Sequence, residues 1–236
     1  MMNTASRPFV RLALAAALSA LTLLSPRPAN AAAASAVPPA STLKIPAGDY
    51  TLDKSHASLI FKVNHLGFSS FTARFTRFDA TLRFDPARPA SARVEATIDP
   101  RSISADNAPA GFLESLQGAD WLDAAKFGQM TFRSTSVTAA GARRLRVTGD
   151  FTLHGVTRPL TLAVAFNGGY AGHPMDPNAR IGFSGHGKFK RSDFGISFGI
   201  PAPGSQMGVG DEVEIVLQAE FTGPPLPAAP ASAATR

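Results

Sequence analysis

In the stretch Val147-Thr148-Gly149-Asp150-Phe151-Thr152-Leu153-His154-Gly155-Val156-Thr157-Arg158-Pro159-Leu160-Thr161-Leu162-Ala163-Val164-Ala165-Phe166, apolar and polar residues take turns. Val147, Phe151 and Leu153 alternate with Thr148, Asp150 and Thr152, and Leu160, Leu162, Val164 and Phe166 then share one side. A period of two sends successive side chains to opposite faces, so the pattern is that of antiparallel strands with one buried and one wet face. The same period governs Leu59 to Val63, Val94 to Ile98, Ile181 to Phe189 and Val213 to Phe221. Arg74 to Phe84 and Gln129 to Val137 read as two further strands. Turn signals at Asp85-Pro86, Ala140-Gly141, Asn167-Gly168-Gly169 and Pro201 to Gly204 punctuate the set.

About eight strands with no βαβ rhythm must stack as a sandwich or close on themselves, and long alternating strands favour closure. The expected fold is therefore all-β, an antiparallel eight-stranded barrel. One helical insertion interrupts it between Asp106 and Lys126, where Phe112, Leu113 and Leu116 recur at helical spacing after Pro109. Asp120 reads as the cap of a second short helix.

Outside this domain the composition changes. Arg7 and Arg11 precede the small, apolar run Leu12 to Leu24, then Pro26 and Ala29-Asn30-Ala31, the three parts of a secretory signal cleaved after Ala31. The run is shorter than the ~20 apolar residues that a permanent span needs. Residues 32–47 and 223–236 are rich in Ala and Pro and read as disordered tethers, leaving 48–222 as the domain. With Arg7, Arg11 and Arg27 removed in the leader, 20 basic residues face 17 acidic ones, a charge of +3. So weak a charge, with no clustered basic face, gives no reason to expect a nucleic-acid partner. Export places the mature protein outside the cytoplasm, in the periplasm of a double-membraned bacterium. The chain has no cysteine, which excludes disulfides, zinc-cysteine sites, a thiol nucleophile and a lipid-modified mature start.

Seventeen of the 20 aromatic residues are Phe, and only Tyr50, Tyr170 and Trp121 can donate a hydrogen bond. An interior lined by such rings is dry. Periodicity alone leaves two states of that interior open, a core packed solid or a bore with room for one ligand. Gly182, Gly185, Gly187 and Gly149 favour the bore by removing volume, although glycine also serves bends in barrel strands.

No catalytic or metal constellation emerges. His56, His65, His154, His173 and His186 lack the convergent ligands that a metal requires; the closest pair, His56 and His65, is separated by a strand and has no carboxylate at ligand spacing. Gly182-Phe183-Ser184-Gly185-His186 lacks the last glycine of a nucleophile elbow, and Gly185-His186-Gly187-Lys188 lacks the spacing of a phosphate loop. His65 shares the parity of Phe61 and Val63 at the strand end, which leaves two readings open, a polar mouth of the interior or the commoner hydrogen-bonded core histidine.

Several segments together resemble the YceI-like family of exported, lipocalin-like barrels that bind polyisoprenoid lipids. They are Tyr50-x-x-Asp53-x-x-His56 with Phe61-x-Val63-x-His65-Leu66-Gly67-Phe68-Ser69; Phe75-x-x-Phe78 to Phe84-Asp85-Pro86; Asp120-Trp121-Leu122-Asp123-Ala124 before Met130-Thr131-Phe132; the block Gly149 to Leu160; Arg191-Ser192-Asp193-Phe194-Gly195; and Gly208 to Val213. The resemblance spans nearly all of Asp49 to Phe221. It implies an apolar tunnel that sheathes an isoprenoid tail, in some members that of a quinone. Leu59, Phe61, Val63, Phe75, Phe78, Phe132, Phe151, Phe183 and Phe189 are expected in its wall. His65, Leu66, Phe68, Phe71, Phe112 and Trp121 are expected at its mouth or lid.

One departure stands out. The family's Arg-Asp-x-His-Leu pattern in the insertion is replaced around Pro109-Ala110-Gly111-Phe112-Leu113. If that pattern meets a head group in relatives, this chain binds a different lipid or binds without head-group selection. The leading expectation is a carrier or sequestering module with an isoprenoid lipid or quinone as ligand, no cofactor and no chemistry. It leaves room for transient membrane contact and for a homodimer. The alternative is an exported enzyme acting on a lipid or quinone with His65 or His154 as base. An outer-membrane barrel fits poorly, because Arg143, Arg144 and Arg146 would face hydrocarbon or crowd the bore.

Overall fold

The structure, a computed structural model, describes residues 44–226. The expected leader, the linker up to residue 43 and the tail beyond residue 226 lie outside the described residues. Among the described residues ten strands are present: β1 (Gly48–His65), β2 (Ser69–Phe75), β3 (Phe78–Phe84), β4 (Arg93–Ile98), β5 (Ile103–Ser104), β6 (Met130–Gly141), β7 (Arg144–Leu153), β8 (Val156–Tyr170), β9 (Asn178–Lys190) and β10 (Val209–Pro225). One short helix, α1 (Phe112–Gln117), lies in the insertion.

The sheet runs β10-β9-β8-β7-β6-β4-β3-β1, and β1 pairs back onto β10, so eight antiparallel strands close into a barrel. The closing seam extends from Thr51 opposite Thr222 to His65 opposite Val209. Closure pairs β10 with β1, so the eight barrel strands form a ring in which each has a neighbour on both sides; the sheet keeps an edge only in the annex, at β5. β1 is long enough to serve two partners. Gly48 to Thr51 pair with β3, whereas Leu59 to His65 pair with β2, which pairs onward with β5. β2, β5 and α1 thus form an annex at one end, packed through Ala73, Ile103 and Leu116 against Phe61, Phe71 and Phe112.

Alternation sets which side chains face inward. Leu82, Ile98, Phe132, Val147, Phe151, Leu162 and Ile181 are buried in one core. The outer face carries charge, with ion pairs Lys54–Asp79 at 2.6 Å, Lys188–Glu212 at 2.7 Å and Arg133–Glu95 at 3.3 Å. An outside of this kind is unlike the apolar band of a transmembrane barrel.

Three local readings need correction. Arg74 to Phe84 is two strands, broken at Thr76-Arg77, where the Thr76 amide donates to the Ser102 carbonyl at 3.1 Å and carries the chain from the annex into the barrel. No second helix follows Asp120; the 118–127 segment is a series of turns closed by bonds such as Asp123 N–H to Gly118 O at 2.8 Å. β10 runs to Pro225, past the expected boundary at Thr222, because Pro225 still pairs with Asn178.

Candidate lipid-binding bore

The barrel encloses a cavity of about 490 Å³. Its wall is built by the inward parity of β1, β3, β4 and β6 to β10, and the polar side chains that line it are Ser58, His65, Ser69, Trp121, Arg191 and Gln218. Leu59, Phe61, Phe75, Phe78, Phe189 and Leu217 point inward yet are only half-buried, since they face the cavity rather than one another. The interior is therefore a bore and not a solid core.

One end of the bore has a floor of rings. Tyr50 meets Phe84 edge-on at 6.5 Å, Phe84 meets Phe183 at 6.1 Å, and Phe183 meets Phe221 at 6.2 Å. Tyr50 is 1% exposed, and its hydroxyl donates to the Pro46 carbonyl at 2.6 Å. Burial pushes the Tyr50 phenol up to about 12. Gly223 is required beneath it, because a Cβ there would lie 2.0 Å from the Tyr50 ring.

The other end is the mouth, where the exposed lining residues His65 and Ser69 sit across the last register pair of β1 and β2. Phe71 and Phe112 meet edge-on at 5.5 Å beside them, and Trp121 packs at 5.5 Å on Phe198. Arg191 secures this end. Its guanidinium donates to the carbonyls of Gly210, Ile196, Phe198 and Val209 at 2.8–3.1 Å and lies 5.0 Å from the centre of the Trp121 ring. It is 4% exposed, and burial pushes its pKa below the ordinary value. Asp211 holds the neighbouring turn through the Ser192 amide and hydroxyl.

Of the expected site residues, Leu59, Phe61, Val63, Phe75, Phe78, Phe132, Phe151, Phe183 and Phe189 line the wall, and His65, Phe71, Phe112 and Trp121 line the mouth. Leu66 and Phe68 do not. They lie in the β1–β2 turn, where Leu66 and Gly67 both take positive φ, the backbone hand that matches strand twist, and Phe68 is carried outward, 80% exposed. Val94, Ala96, Leu122, Met130, Ile215 and Leu217 are among the further lining residues that were not expected as site residues, although the parity that marked the Phe residues marks most of them too.

The glycines do not open the bore in the way expected. Gly182 faces outward near Asn167. Gly149 lies under the Phe132 ring, where a Cβ would come within 2.5 Å, and Gly187 lies under Leu162 at 2.7 Å. Gly149, Gly187 and Gly185, the last beneath Leu217 at 3.0 Å, let neighbouring side chains lie flat on the wall.

The histidines divide. His65 is at the mouth, but His154 is away from the bore, with Nδ1 3.1 Å from the Phe194 carbonyl and its ring 4.5 Å from Phe127. Neither is hydrogen-bonded to a carboxylate among the described residues. His56 does have one, contrary to expectation: β1 bulges at 53–56, which brings Nδ1 of His56 3.0 Å from Asp53. Asp53, His56 and Glu220 converge closely enough to suggest a metal site, yet Arg180 already bonds two of the three, Asp53 and Glu220, together with Asp176. Arg180 holds the Asp53 carboxyl well below the usual carboxylate range, and Asp53 in turn raises His56.

The profile of the YceI-like domain matches residues 50–221. A UPF0312 protein of Vibrio cholerae is 37% identical over 187 residues, covering 77% of this chain and 93% of its own length. One from Shewanella baltica is 36% identical over 73% of this chain and 87% of its own. Among solved structures, Burkholderia cenocepacia BcnA is similar at 27% identity and a TM-score of 0.61, covering 72% of this chain and 98% of BcnA. A polyisoprenoid-binding domain from Saccharophagus degradans, 14% identical with a TM-score of 0.53 over 74% of this chain and 98% of its own, shares the fold. With the barrel, the bore and these matches in agreement, the chain belongs to the YceI-like family.

Proposed function

We propose that this protein binds one polyisoprenoid chain, of a polyprenol or an isoprenoid quinone, inside the bore and carries or sequesters it without chemical change. The observation that carries this reading is a wall almost free of polar side chains around a cavity closed at one end by rings and open at the other. A hydrocarbon tail gains about 0.8 kcal/mol for each CH₂ it buries, whereas an unpaired polar group in the wall would cost about 1–3 kcal/mol. The name of the Saccharophagus relative points to the same ligand class. With a floor at the Tyr50 end, the chain enters tail first and leaves its polar end near His65 and Ser69.

Residues 1–31 act as an export signal in this reading, and the mature protein, beginning at Ala32, works in the periplasm. The test is titration of the purified protein with a quinone or polyprenol, followed by native mass spectrometry. One ligand per barrel is expected; no retained ligand at saturating addition overturns the proposal. Sequencing of the mature N-terminus from periplasmic extract tests the export component.

A further inference from the structure

Five large apolar side chains are exposed among the described residues, and three of them gather at the mouth: Phe68 (80% exposed), Met207 (70%) and Phe198 (55%). They project from two loops that are pinned together. The Leu66 amide donates to the Gly208 carbonyl at 2.9 Å, and the Val209 amide donates to Gly199 at 2.8 Å. Gly67 sits so close to Gln206 that a Cβ would collide with that side chain. The ring of Phe198 rests on Trp121, which itself lines the bore, so the exposed lip continues the bore wall.

The lip is also free of charge. No Asp, Glu, Lys or Arg occurs from Leu66 to Ala73 or from Phe194 to Gly210, in a chain whose residues are 17% charged. Single exposed apolar residues are ordinary, but a contiguous uncharged group of them around an opening marks an interaction surface. The cargo decides what it meets. A long isoprenoid resides in a bilayer, and a lip continuous with the bore lets it pass from acyl chains to the wall without crossing water. With no basic cluster on these loops, insertion of apolar side chains drives the contact instead of attraction to anionic head groups.

We infer that the lip formed by Phe68, Phe198 and Met207 inserts into the surface of a lipid bilayer and seats the mouth there for direct transfer of the ligand. This rests on the binding reading above. Trp121, the chain's only tryptophan, reports the contact, and F68S/M207S removes two anchors that lie outside the bore.

The wild-type protein should float with phosphatidylcholine vesicles, with or without phosphatidylglycerol, and brominated acyl chains should quench Trp121. F68S/M207S should lower vesicle binding and the rate of quinone transfer from vesicles about tenfold or more, while uptake of the same quinone from cyclodextrin stays unchanged. Equal vesicle binding by wild type and variant would overturn the inference. So would binding confined to anionic vesicles, or a wild-type dimer that the variant splits with no vesicle contact in either protein. Failure of the wild type to take quinone from cyclodextrin, with flotation and quenching intact, would remove the carrier reading and leave the lip in place.

Discussion

Replacing Ala96 by phenylalanine asks the barrel directly whether it is hollow. Ala96 faces inward on β4 in a row with Ala80 and Phe132, lines the cavity and is only half-buried. In a packed core the added ring would force neighbours off their rotamers and cost about 1–3 kcal/mol. In a bore it enters free space. Full burial of a large apolar side chain contributes about 1.5–3 kcal/mol, of which the alanine methyl already supplies about 0.8, so the expected net gain is about 1–2 kcal/mol. For a domain of this size that raises Tm by roughly 3–6 °C. The same ring should block uptake of an isoprenoid quinone, because it occupies the volume the tail needs. Thermal denaturation and ligand titration on the one variant read both effects. A Tm lowered by several degrees with uptake intact would refute the reasoning.

The structure sets three further expectations. R191M should destabilise the domain by about 3 kcal/mol or more in urea titration, since four carbonyls lose a charged donor at once; a change below 1 kcal/mol would contradict the anchoring role. Tyr50 has a folded-state pKa near 12 against an unfolded value of 10, so its contribution to stability is complete below pH 10 and falls away as pH rises from 10 to 12; absorbance titration showing both tyrosines ionised near pH 10 in folded protein would count against it. Asp53 has the opposite sign: its depressed pKa contributes stability above the ordinary carboxylate range that is lost as pH falls through and below that range, and D53N should flatten this acid limb of the stability profile.

The barrel was legible in the sequence because its determinant is local. Leu160, Leu162 and Phe166 declare their buried face by spacing alone, and eight such runs leave few ways to satisfy the edges. The wall was legible for the same reason, since parity carries a side chain inward whatever its distant neighbours. Where geometry depends on a turn, spacing fails. Phe68 continues an apolar segment, but the positive φ of Leu66 and Gly67 turns the chain and throws the ring outward. The break at Thr76-Arg77 depends on the Ser102 carbonyl, 26 residues away, and leaves no local mark. The anchoring role of Arg191 left no local mark either, because two of the four carbonyls it meets, Ile196 and Phe198, come from a loop whose path no pattern reveals, and the other two, Val209 and Gly210, open β10. Gly149 was read as missing volume, whereas the Phe132 ring that fills the space over it comes from the adjacent strand.

The central claim is that the bore is made for a long isoprenoid chain, and the most direct measurement is of the lipid that accompanies the protein from its own cells. Organic extraction of the purified native protein, followed by mass spectrometry, should yield a polyprenol or isoprenoid quinone at close to one per barrel, and A96F prepared in parallel should yield little. Native protein that releases no isoprenoid, or releases the same amount as A96F, would contradict the account.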